Sequence, residues 1–160
     1  MQISHRGLTS ATGYFITAST YQKACILQSD RMAGLFIDVL YHYRAEHEYW
    51  LHEFVVMPDH FHLLITPGAA LERALQLIKG GFSYRAAKEL GFRGKIWQPS
   101  YYDRRVRDEI EYGNFRDYIR QNPVKRGLAQ RAEFYPYSSA SPNFELDEVP
   151  QRLKALFETA

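Results

Sequence analysis

The chain has 160 residues, 46% hydrophobic and 24% charged, with a net charge of +2, which suits a globular domain and excludes a disordered or collagen-like polymer. No apolar run approaches the roughly 20 residues of a membrane helix, and Met1–Arg6 lacks the apolar stretch of a signal peptide. The single cysteine, Cys25, has no internal disulfide partner, so a reducing, cytoplasmic setting is expected.

Thr12–Thr20 is β-branched and aromatic with partial alternation, the pattern of a strand. Ser29 and Asp30 offer N-caps to a helix over Arg31–Glu46, where Met32, Leu35, Phe36, Val39, Leu40 and Tyr43 recur at three- and four-residue steps. Tyr49–Met57 reads as a second strand, Pro58-Asp59 as a turn and His60–Thr66 as a third strand. So short a connection pairs those two antiparallel. Ala70–Leu90 is a second amphipathic helix, with Leu71, Ala74, Leu75, Ile78, Phe82 and Ala86 on its apolar side. Gly80-Gly81 interrupts it, as a kink, a close packing contact or a close approach to a DNA backbone. Ile96–Tyr102 is the expected fourth strand. Arg107–Gln121 reads as a helix with its acids early and Arg116 and Arg120 late, as the helix dipole prefers, and Pro123 is expected to stop it. Phe134–Ser139 reads as a docking loop and Leu146–Phe157 as a short terminal helix. This order predicts an α+β, ferredoxin-like domain: an antiparallel sheet with two helices on one face, the other face left for a site or the third helix.

The charge is unevenly placed. Residues 73–131 carry fourteen Lys and Arg against six Asp and Glu, whereas the other 101 residues carry six against twelve. A basic block of this kind suits a polyanion, because neutralising phosphates supplies most non-specific affinity for nucleic acid. Fourteen of the twenty basic residues are Arg, whose planar fork matches phosphate and base edges. Trp97, Tyr101 and Tyr102 could stack on unpaired bases, although Trp97 suits a core equally well.

On a strand, His60 and His62 point to one face and Phe61 to the other. Two adjacent imidazoles can share a divalent cation or simply hydrogen-bond on a half-exposed sheet; a cation would need a further ligand. Tyr118 and Asn122 stand four residues apart, hence on one helical face. Asn122 has an amide oxygen for a metal and Tyr118 a hydroxyl able to act as a nucleophile once activated. The same two residues also suit ordinary core and a helix stop. Asp59 suits the turn and His47 the surface, and His52 could face the metal side, eight residues before His60.

Taken in order, the aromatic-rich first strand, MPDHFHLLI (Met57–Ile65), WQPSYYDRRVRD (Trp97–Asp108) and YIRQNPVKRGL (Tyr118–Leu128) resemble the single-tyrosine HUH transposases, in particular the REP-associated tyrosine transposases of bacteria. The likeness covers about Gly13 to Tyr137, the core of a domain spanning residues 1–160, with 138–160 an extension. It implies a ferredoxin- or RRM-like sheet with an additional tyrosine-bearing helix, and a metal-dependent endonuclease and transposase acting on single-stranded DNA with palindromic hairpins. By position His60 and His62 fill the two histidine places, Tyr118 is the nucleophile that forms a 5′-phosphotyrosine link, and Asn122 helps ligate Mg²⁺ or Mn²⁺. Arg104, Arg105, Arg107, Arg85, Lys79, Arg120, Lys125 and Arg126 are the expected DNA contacts, with the first three foremost. A monomer or homodimer, associated with the nucleoid and not with a membrane, is expected. Two rivals stand beside this reading. A two-histidine phosphoesterase needs a second HxT or HxS motif, which the chain lacks. A non-catalytic single-stranded nucleic-acid-binding module with an RRM-like sheet accounts for the charge and aromatics but not for Tyr118 and Asn122.

Overall fold

In the computed structural model, which describes residues 12–154, strands β1 (Gly13–Ser19), β2 (Tyr49–Met57), β3 (His60–Pro67) and β4 (Tyr102–Val106) form one sheet. Their order is β2-β3-β1-β4 and every pairing is antiparallel. Helix α1 (Asp30–Ala45) joins β1 to β2, α2 (Leu71–Leu90) joins β3 to β4, and α3 (Glu109–Lys125) follows β4. This is the expected ferredoxin-like arrangement with one added helix. No helix among the described residues is long and apolar enough to cross a membrane.

The sheet separates two apolar clusters. Ile16, Ala18, Phe61, Leu63 and Ile65 bury one face against Phe36 and Leu40 of α1 and Leu75, Ile78 and Phe82 of α2. On the opposite face Phe15, Val55, Met57 and Leu64 pack against Tyr112 and Ile119 of α3. A register shift between Leu51 and Glu53 makes this division possible in β2. Two residues apart, they would otherwise share a face; the bulge at His52 leaves Leu51 in the α1/α2 core and turns Glu53 toward α3.

Local chemistry sets most boundaries. The Ser29 hydroxyl accepts from the Met32 N–H and caps α1. Helix α2 runs unbroken through Gly80-Gly81 and ends at left-handed Gly91. A Cβ at Gly81 would lie 2.8 Å from the Tyr43 ring, so of the readings open for this pair the structure shows the close packing contact, α1 against α2.

Three expectations are corrected. The fourth strand is Tyr102–Val106 and not Ile96–Tyr102. Ile96 is buried and Trp97 packs edge-on against Phe61 and Phe82 and donates to the Lys79 carbonyl, so these residues spend their apolar surface on the helical core instead of a strand. Pro123 lies inside α3 and does not stop it. The ring is buried, and the helix ends two residues later, at Lys125, in a paired cap: Leu128 N–H to Pro123 O and Gly127 N–H to Val124 O, with Gly127 at φ 72°. Finally, the described part of the expected Leu146–Phe157 helix shows only a 3-10 turn at Gln151–Leu153; residues 155–157 lie outside the described residues.

Residues 134–139 dock as expected, on the outer edge of β2. Val56 donates to the Tyr137 carbonyl and Ser139 donates to the Phe54 carbonyl. Further on, Asp147 exchanges hydrogen bonds with the Leu51 backbone and takes a bidentate pair from Arg44.

Candidate active site

The strand period puts His60 and His62 on the α3 face, as expected, where cross-strand rows read Met57–His60–Ser19 and Val55–His62–Thr17. Both are buried, and their ring centroids are 4.7 Å apart. Each has one nitrogen held: His60 Nδ1 lies 2.7 Å from Asp59 Oδ1, and His62 Nδ1 lies 2.9 Å from Thr17 Oγ1. With Nδ1 as the donor in both, each Nε2 keeps its lone pair as an acceptor, that of His62 lying 3.5 Å from Asn122 Nδ2, the arrangement in which a second group orients a metal-binding imidazole. Burial lowers the pKa of His60 against the opposing pull of Asp59, and burial together with the neighbouring His60 lowers that of His62 to about 3. The pair is therefore neutral at pH 7, the form that ligates metals.

Helix α3 is capped by the Asp108 carboxylate, which accepts from the Glu111 N–H. Its anchor to the sheet is a bidentate pair from Arg120 to Glu53, at 2.9 and 3.0 Å, with Ser139 Oγ also donating to Glu53. That anchoring sets Tyr118 against His62, ring centroids 5.2 Å apart and nearly perpendicular. Phe15 stacks between His62 and Phe115 and meets the Tyr118 ring edge. Tyr118 is 46% exposed, so its side chain is accessible to a substrate. Asn122, one turn on, is 5% exposed; its Nδ2 lies 3.5 Å from His62 Nε2, and its Oδ1 is buried without a hydrogen-bond partner. A half-turn of the amide exchanges those two atoms. Among the described residues no group of three or more His, Cys, Asp or Glu is placed to hold a metal. The fit for a divalent cation rests instead on two oriented imidazoles and an orphaned amide oxygen, and it is a good one.

A family model described as "Transposase IS200 like" matches residues 9–122, which contain the histidine pair, Tyr118 and Asn122. The chain belongs to the IS200-like transposase family. An inferred REP-associated tyrosine transposase of Haemophilus influenzae is 27% identical over 91% of this chain and 89% of its own length. The REP-associated tyrosine transposase of Escherichia coli is 25% identical over 60% of this chain and 57% of its own. The solved structure of a REP-associated tyrosine transposase bound to a REP hairpin shares the fold, with a TM-score of 0.64 at 22% identity, over 97% of this chain and 94% of that one.

In this IS200-like transposase the expected DNA contacts are scattered. Arg104 pairs with Phe15 across the strands and so lies on the tyrosine face, over the Phe115 ring. Arg105 pairs with Tyr14 and points to the α1/α2 side. Arg104 and Arg107 both bond Glu111. Arg120 is committed to Glu53, Lys79 donates to the Gln98 carbonyl, and Arg85 pairs with Glu89 on α2, on the far side of the sheet. Lys125 and Arg126 are exposed at the end of α3, beside the site. Tyr102 is 56% exposed in the row Tyr102–Thr17–His62. His52 is no part of the site: Thr66 Oγ1 and the Asp147 carbonyl occupy both its nitrogens. Asp59 is more than a turn former, since it orients His60; its adjacency to the histidine was the one available signal. Thr17, Phe15 and Glu53 carried no signal, because their roles depend on strand register.

Proposed function

We propose that this transposase cleaves and rejoins single-stranded DNA at palindromic, REP-like hairpins, with Tyr118 as the nucleophile. The observation that carries the reading is the half-exposed Tyr118 phenol set edge-on to an oriented, neutral histidine pair, with the unpartnered Asn122 Oδ1 one helical turn away. The hairpin as substrate is supported by the structural neighbour's bound REP hairpin.

His60 Nε2, His62 Nε2 and Asn122 Oδ1 would hold Mg²⁺ or Mn²⁺, with imidazole favouring Mn²⁺. Such a cation, when bound, supplies positive charge that orients a phosphate and draws off charge developing on it. Tyr118 Oη attacks the scissile phosphorus, the bond from phosphorus to the 3′ oxygen breaks, the phenolic proton passes to water and the departing 3′ oxygen takes one up. The products are a 5′-phosphotyrosine and a free 3′-hydroxyl. Attack by a 3′-hydroxyl reverses the step; one phosphodiester replaces another, so rejoining needs no nucleotide triphosphate. Asp59 and Thr17 hold the imidazole tautomers throughout, and Arg104, Arg107, Lys125 and Arg126 contact flanking phosphates.

Incubation with end-labelled single-stranded hairpin DNA from the gene's own flanks and Mn²⁺ tests the reading on a denaturing gel. A shifted band carrying only the 3′ label, absent with chelator, is expected. Tight binding with no adduct under any divalent metal, across a randomised single-stranded library, would replace it with the binding-module reading.

A further inference from the structure

Beyond the expected residues, the histidine face carries a second cation, which no motif marks. Residues Tyr21–Lys23 form a tight turn at the end of β1 in which Gln22 and Lys23 both take left-handed backbone angles, φ 53° and 57°. Side chains rarely adopt this region, and strain of this kind collects at functional sites where the surroundings over-determine it. Here they do. Lys23 N–H bonds the Thr20 carbonyl, Tyr21 N–H bonds the Ile96 carbonyl at 2.7 Å, and the Thr20 hydroxyl bonds the Ala24 carbonyl at 2.6 Å. Glycine would sit at position 23 with less strain, yet lysine is there.

The turn aims the lysine. Lys23 Nζ lies 3.1 Å from Ser19 Oγ, and Ser19 is the cross-strand partner of His60, on the histidine face. Opposite, Arg126 continues the series Tyr118, Asn122, Arg126 at one-turn spacing. Among the described residues neither cation forms an ion pair. Two cations thus flank the imidazoles, Lys23 beside the partner strand and Arg126 one turn beyond Asn122, and Asp59, bonded to His60, is the acidic group beside them.

We propose that Lys23 and Arg126 form a cationic clamp that seats one phosphodiester of single-stranded DNA over the histidine pair, Lys23 from the sheet end and Arg126 from the helix end. This rests on the nucleic-acid reading above but not on cleavage.

The test is binding, in EDTA, of the same hairpin oligonucleotides by fluorescence anisotropy, with each phosphate in turn replaced by a neutral methylphosphonate. One position should weaken wild-type binding by about tenfold. In Lys23→Gly and Arg126→Gln that sensitivity should fall to about twofold or less, and each should reduce the salt slope by about 0.7, the value for one phosphate on a single strand. Lys23→Gly also relieves the backbone, so lost affinity with an unchanged or higher melting temperature separates the missing charge from misfolding. Lys23→Arg should restore most of the binding. Unchanged affinity in Lys23→Gly, or a loss spread equally over all phosphates, overturns the clamp. A missing covalent adduct with the position-specific effect intact would sink the cleavage reading alone.

Discussion

Removing Arg120 should cost more than removing Glu53, although they form one ion pair. In Arg120→Ala the Glu53 side chain, 4% exposed, keeps only the Ser139 hydroxyl as a partner. Stranding a buried charge costs about 3–5 kcal/mol; because the Arg120 side chain is 36% exposed, screening brings the expected loss to about 2–3 kcal/mol. In Glu53→Ala the freed guanidinium can turn to water, for a loss of about 1–2 kcal/mol. The double change Glu53→Ala/Arg120→Ala strands no charge, and its loss should fall below the sum of the single losses by about 1–2 kcal/mol. For a domain of this size each kcal/mol moves the midpoint by about 2–4 °C, so Arg120→Ala should melt about 4–12 °C low. Urea titration followed by circular dichroism, with thermal scans beside it, measures all three. Additive losses, or Glu53→Ala as the costlier single change, would refute the argument that the carboxylate is the stranded partner.

Tyr118→Phe removes one hydroxyl from a half-exposed side chain and should abolish the covalent adduct while leaving hairpin affinity within about twofold in anisotropy, since no phosphate-binding charge is lost. Thr17→Val, which removes only the group orienting His62, should weaken Mn²⁺ binding within the about 10–100-fold typical of such partners, and His62→Ala and Asn122→Ala should each weaken it further, all read by titration calorimetry without DNA. Asp147 supplies the pH test. Burial pushes its carboxyl up, but the hydrogen bonds from Arg44 and the Leu51 N–H and the Arg44 charge outweigh that and hold it below the usual range. A depressed carboxyl contributes stability that is present above the unfolded pKa of about 3.9 and lost as pH falls through the folded value. Asp147→Asn should therefore lose about 1–2 kcal/mol at pH 7, and its melting curve should converge on the wild type as pH falls through the depressed folded value.

The histidine strand is legible because its chemistry is periodic: HFH alternates on a strand that a Pro-Asp turn folds back onto an apolar neighbour. Helix α1 is equally open to reading, from Ser29 to its apolar stripe. Strand β4 is not. Four of its five residues are exposed, so no alternation marks it, while the nearby apolar residues that do carry a pattern serve the other side of the sheet as irregular chain. Pro123 misleads for a different reason. The local rule costs one hydrogen bond, and burial of the ring together with the Gly127 cap outweighs it. In the site, Tyr118 and Asn122 follow from helical spacing, whereas Lys23 becomes visible only once the register puts Ser19 beside His60 and the backbone angles show how the turn is held.

The docking of residues 137–147 on β2 also sets an order of events during synthesis. The outer backbone groups of β2 are met by partners about 80 to 95 residues further along the chain, so they are satisfied only after nearly everything else has emerged. Until then a strand of nine residues, eight of them buried in the finished molecule, stands with one border open, an invitation to pair with another copy. The opposite border, β4, carries two arginines and an aspartate and needs no cover. A chain cut short before residue 137 would keep the histidines and the tyrosine and still be the more aggregation-prone molecule, because what it lacks is the seal.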